Sequence, residues 1–307
     1  MGILFAFLSA LSFAVSNIMV KKGIEKSSGE SNGYFVVILI NVFLLGLVFL
    51  VPLTLGMYEF VFTWDGFLLF VLAGLFTSGL GRFALFKSIN HIGPSRASAI
   101  KNAAPIFTII YALLLLGETL NFLSILGILL LIGAIMLQGL IIFFQSKQNS
   151  QTQDVHYDNM RGQWLGYLIG ISAAICFGIG LAIRGQGLIY LNNAYFGAWV
   201  GAITAFVFIF LYEAVRGNIG HVLYTHFKSF NAYFLGAGIL TSLGPLFFFI
   251  AASHTQVSYV SVIAGTEPVL TILVSLIILR NQEMLTKFTI IVVLLVLSGT
   301  AMIVLAT

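Results

Sequence analysis

Residues 77–109 read TSGLGRFALFKSINHIGPSRASAIKNAAPIFTI, and residues 240–272 read LTSLGPLFFFIAASHTQVSYVSVIAGTEPVLTI. Offset by 163 positions, the two align without a gap. Leu80, Gly81, Phe86, His91, Ser95, Ser98, Ile100, Pro105, Thr108 and Ile109 each meet an identical residue. Both copies lie in apolar runs of membrane-spanning length. A duplicated membrane half is a common way to build a transporter, with a site between two related bundles.

Outward from this repeat, composition decides the solvent. The 307-residue chain is 60% hydrophobic and 8% charged, where a soluble domain carries about a quarter charged residues. Most of the chain must therefore face lipid. The net charge of +4 is spread through connecting segments, as membrane loops require, and is not a nucleic-acid signal. One cysteine, Cys176, excludes an internal disulfide framework and any multi-cysteine metal site. The first apolar run lacks a basic leading region and reads as a retained span, not a cleaved signal.

A helix crosses the hydrocarbon in about 20 residues. Ten segments qualify: 2–20, 34–55, 67–89, 95–116, 122–144, 164–183, 195–215, 232–253, 257–279 and 285–305. They show no strand-like alternation, so the expected fold is an all-α integral membrane protein of ten transmembrane helices. The only long polar stretch is QSKQNSQTQDVHYDNMRGQ. It divides the chain into a first five-helix repeat (1–144), a linker (145–163) and a second repeat (164–307). Gly2, Leu4, Ala10, Phe13 and Gly23 also match Gly166, Leu168, Ala174, Phe177 and Gly187, at an offset of 164. Five is odd, so the second repeat enters the membrane from the opposite face and the pair is inverted.

Each half carries a proline, an apolar run and a closing glutamate: Pro105 to Glu118, and Pro268 to Glu283. With the Gly-rich fifth and tenth spans, this resembles the drug/metabolite transporter superfamily, and within it the EamA family of ten-helix carriers. The second run is two residues longer than the first, and Lys101 in the fourth span is not a family feature. The resemblance implies efflux of amino acids or related solutes.

Among the ten carboxylates only Glu267 falls deep in a span. It lies about ten residues into the ninth span, roughly 15 Å deep. Arg82 and Lys101 lie roughly 10 Å from the other face. Such groups are expensive in a membrane and face a cavity or a partner. The expectation is that all three meet near the centre, either as a polar site or as an ion pair locking the halves together. In the first reading the cations hold an anionic group and Glu267 takes a proton or an amine. Asn17 and Asn102 are the further cavity candidates. Pro105, Pro268, Pro245, Gly81 and Gly244 are candidate points of helix breaking or close approach.

No HExxH motif and no phosphate loop occur in the sequence, and no cofactor is expected. The leading expectation is thus a multi-pass cell-membrane secondary transporter, an exporter or exchanger of small metabolites. Its partners would be a small-molecule substrate, the lipid bilayer, and protons or a counter-substrate. The alternative is a non-transporting membrane scaffold or sensor subunit. Eleven of the fourteen Lys and Arg follow odd-numbered spans, and only Arg184 falls on the opposite side. The positive-inside rule then puts both termini outside the cytoplasm, whereas the family resemblance implies both inside.

Overall fold

Lipid offers no partner to a backbone N–H, so each apolar segment must close its own hydrogen bonds as helix. The computed structural model describes residues 1–27, 33–57, 59–92, 94–149, 160–278 and 287–306. Its spans are α1 (Gly2–Lys26), α2 (Tyr34–Thr54), α3 (Trp64–Ile92), α4 in two pieces (Pro94–Lys101 and Ala104–Leu115) and α5 (Phe122–Asn149). The second set is α6 (Met160–Tyr190), α7 (Ala194–Val215), α8 (Ala232–His254), α9 in two pieces (Val257–Ala264 and Glu267–Ile278) and α10 (Lys287–Ala306). Among the described residues nine helices are long and apolar enough to cross a membrane, and Ile290–Ala306 within α10 is a shorter tenth. A short helix, Ile219–Lys228, joins α7 to α8. Helices α5 and α6 extend into the polar stretch as far as Asn149 and from Met160. Residues 150–159 of that stretch, and Arg280 and Glu283, lie outside the described residues.

Packing relates the two halves. Helix α1 packs on α8 as α6 packs on α3, α1 on α9 as α6 on α4, and α2 on α8 as α7 on α3. The pairs α2–α7, α4–α9 and α5–α10 each join a helix to its own repeat mate. The side chains repeat the relation. A Cβ added at Gly81 would sit 3.1 Å from the Phe177 ring, and one at Gly244 would sit 2.7 Å from the Phe13 ring. Phe13 and Phe177 are repeat mates, as are Gly81 and Gly244, so the two small residues do admit close approach. Ser9 also donates to the Gly244 carbonyl at 2.7 Å.

Connections sort onto two faces. The termini face holds both chain ends and the loops after even-numbered helices; the basic face holds the other loops. Both large apolar clusters are centred next to the termini face. One gathers Ala6, Phe248, Ala251, Tyr259 and Ile303. The other gathers Phe49, Phe70, Leu191, Phe196 and Phe249. Trp199 stacks on Phe49 in this second cluster, so it is a packing residue.

Helix α6 corrects one sequence expectation. It runs through Arg184 to Tyr190, so Arg184 belongs to a span and not to a loop. The loops of the termini face then carry neither Lys nor Arg. The charge bias becomes absolute, which supports the charge-based expectation of a cytoplasmic basic face against the family-based one. A C-terminal reporter active only in the cytoplasm is expected to stay silent; activity would reverse the orientation.

Candidate functional site

The helix breaks fall at matched positions. Helix α4 ends at Lys101 and restarts at Ala104, and α9 ends at Ala264 and restarts at Glu267. Asn102 and Gly265 are repeat mates at these turns. Pro105 sits in the first turn of the restarted helix, where its missing N–H has no helical partner to lose. Pro268 directly follows Glu267 at the equivalent place. The prolines therefore start half-helices and do not kink continuous ones. Pro245 differs: it lies inside α8, which continues through it.

This break places Glu267 at the N-terminus of a half-helix near mid-membrane. The positive end of the helix dipole lies beside its carboxylate. Asn17 of α1 completes the environment, donating through Nδ2 to Glu267 Oε1 at 2.7 Å. Asn17 is exposed and Glu267 half-buried. Two polar groups from opposite halves thus meet at a break in the backbone and keep open surface at mid-depth. Asn102 is buried at the matching break.

The cations go elsewhere. Lys101 lies over the Phe177 ring, 5.5 Å from its centroid. Arg82 lies over Tyr34 at 4.5 Å, toward the basic face. Among the described residues no ion pair joins either of them to Glu267, which corrects the expected meeting of three charges and the locking ion pair. Each cation rests on a ring quadrupole instead.

Two residues acquire roles that sequence reasoning missed. Arg184 enters the bundle between α3, α6 and α8. Its guanidinium lies 5.4 Å from the Phe248 centroid and 5.3 Å from that of Phe249. Glu118, anticipated only as the close of an apolar run, reaches across to the second half. Its Oε1 accepts from the Val257 N–H at 2.6 Å and its Oε2 from the Ser258 N–H at 3.1 Å. Gly117, at φ 66°, ends α4 and turns the chain for that contact.

The scaffold repeats and the polar groups do not. The mates of Asn17, Arg82, Lys101, Arg184 and Glu267 are Leu181, Pro245, Ala264, Val20 and Ala104. The carboxylate at the α9 break and the embedded cations therefore each occur once, on a scaffold of two similar halves. That is the construction of a solute carrier.

Comparison with known proteins agrees. The model of the EamA-like transporter family matches residues 1–140 and again 164–305, and the chain belongs to that family. It is a membrane transporter of the drug/metabolite type. No curated protein matches it. A solved structure described only as "Crystal structure of protein" superposes with a TM-score of 0.68 at 15% identity, covering 99% of this chain and 97% of its own. At that identity the likeness concerns the fold.

Proposed function

We propose that the protein is a secondary transporter of small metabolites, amino acids or related organic solutes, working as an exporter or exchanger. The two repeats are inverted and alternate access around the break at Glu267. The carrying observation is the Asn17–Glu267 pair: a carboxylate at the start of a mid-membrane half-helix, held from the opposite half and still open to a small ligand.

One carboxylate serving either a substrate amine or a proton makes the two compete. Competition at a site exposed alternately to each face is the requirement for exchange. Seals near the termini face support a state closed on that side; with the basic face cytoplasmic, as the charge bias implies, release at the termini face is export.

The experiment is flux of labelled amino acids and small organic anions in proteoliposomes, with and without a pH gradient. Glu267→Gln is expected to keep residual flux and lose the response to the gradient. An unchanged gradient response in that variant would remove the coupling role. No flux across the panel from folded wild-type protein would favour a scaffold.

A further inference from the structure

We propose that Arg184 is the subsite for the carboxylate of the transported solute. The inference rests on the reading above, that a small solute occupies the mid-membrane space between the halves. It begins from an imbalance of donors. A guanidinium carries five N–H donors and no acceptor. The protein acceptor observed for Arg184 is Thr77 Oγ1, at a long 3.3 Å from Nη2. Among the described residues no carboxylate pairs with it, and its other neighbours are the faces of Phe248 and Phe249. A buried charge without an anion is expensive. Arg184 lies among α3, α6 and α8 and keeps part of its surface accessible.

A second observation is independent of the charge. Helix α3 widens into a π-helix over Leu75–Gly81, the segment that presents Thr77. Such turns inside α-helices recur at functional sites. Thr77 donates its own proton to the Ala73 carbonyl at 2.8 Å, which leaves its oxygen to accept from Arg184 and steadies the guanidinium. The repeat mates of Thr77, Phe248 and Phe249 are Leu240, Leu85 and Phe86, so the second half builds no copy. The Arg184 site is therefore not duplicated by the repeat.

A single planar fork matches the two oxygens of a carboxylate. Among the described residues no Lys side chain shares the Arg184 contacts, so the site offers one positive charge, which a carboxylate monoanion balances and a phosphate dianion does not. Arg184 lies six residues before the end of α6 and Glu267 ten residues into α9, so the two differ in depth by about 6 Å at helical rise.

The test uses purified full-length protein and matched probes: a panel of L-amino acids, the α-amide of each, and the corresponding deaminated acid. Binding is read by thermal shift and movement by counterflow in proteoliposomes. Carboxylate-bearing members should bind wild type about 10- to 100-fold more tightly than the amides, the worth of a hydrogen bond to a charged group. Arg184→Gln should abolish that preference, and Arg184→Lys should keep it in weakened form. Unliganded Arg184→Met should melt no lower than wild type, because it removes an unpaired buried charge; a lower melting temperature would mark a structural strut and overturn the proposal. An acid-over-amide preference that survives in Arg184→Gln, with flux intact, overturns the subsite and spares the transport reading. Absence of binding and flux for every probe in monodisperse wild type overturns both.

Discussion

Gly178→Val is expected to lower folding stability by about 3 kcal/mol, whereas Gly133→Ala is expected to leave it unchanged or slightly raised. Both are glycines in spans, so propensity alone predicts a gain of up to about 1 kcal/mol for either alanine. Their surroundings decide otherwise. A Cβ at Gly178 would lie 2.5 Å from the Ala104 carbonyl oxygen, 2.6 Å from Phe107 Cβ and 3.1 Å from the Thr108 nitrogen. Two of these are backbone atoms, which cannot step aside as a side-chain tip can. They belong to the first turn of the restarted half of α4. Thr108 also donates to the Gly178 carbonyl at 2.9 Å, so parting the helices breaks that bond. Overpacking costs about 1–3 kcal/mol and the lost hydrogen bond about 1. A Cβ at Gly133 meets nothing within 4 Å. Melting curves of the two variants in one detergent measure the difference. Equal stabilities would show that the α4–α6 contact yields freely.

The contrast also explains what the sequence could and could not disclose. Hydropathy and the repeat carried the ten spans and their division into halves, because both are properties of the chain read in order. The position of Arg184 was lost for the same reason. Its charge, with Gln186 beyond it, looks like the end of an apolar run, while the helix continues because those groups face protein. The repeat did not supply the missing signal: the expected end of the first span at residue 20 maps by the offset of 164 to residue 184, six short of Tyr190, where α6 stops. The pairing of Asn17 with Glu267 had no such signal, since 250 positions separate them and no local pattern records which face of α1 meets α9. Likewise Pro105 and Pro268 marked where the helices break, but not that each begins a half-helix. The expected meeting of Lys101 and Arg82 with Glu267 was argued from depth alone. Depth ignores direction, and both side chains turn to aromatic rings.

Glu118→Ala is expected to lower stability by about 3 kcal/mol and to loosen the seal at the termini face. The carboxylate accepts from two backbone N–H groups at the start of α9, donors that have no partner within their own helix. Each bond is charge-assisted, and the helix dipole adds to both. A hydrogen bond to a charged group contributes about 1.5–3 kcal/mol, and the two share one carboxylate, so they sum incompletely. The contact is unusual in its topology: the turn after α4 belongs to the first half and the capped helix to the second. Gln256 reinforces it by donating to the Thr119 carbonyl at 3.0 Å. Tyr259 does the same one turn on, donating to Ser124 Oγ at 2.8 Å. These bonds tie α9 to the α4–α5 turn beside the apolar cluster that closes this face. On the proposed alternating-access reading, opening toward the termini face parts them, and the cap then holds the closed state as well as the fold. Glu118→Gln keeps one acceptor and should fall between wild type and alanine in melting temperature. In flux measurements both variants should admit solute from the termini face more readily than wild type, in the order alanine then glutamine. A melting temperature unchanged in the alanine variant would show that water caps α9 equally well, and that the seal rests on the apolar cluster alone.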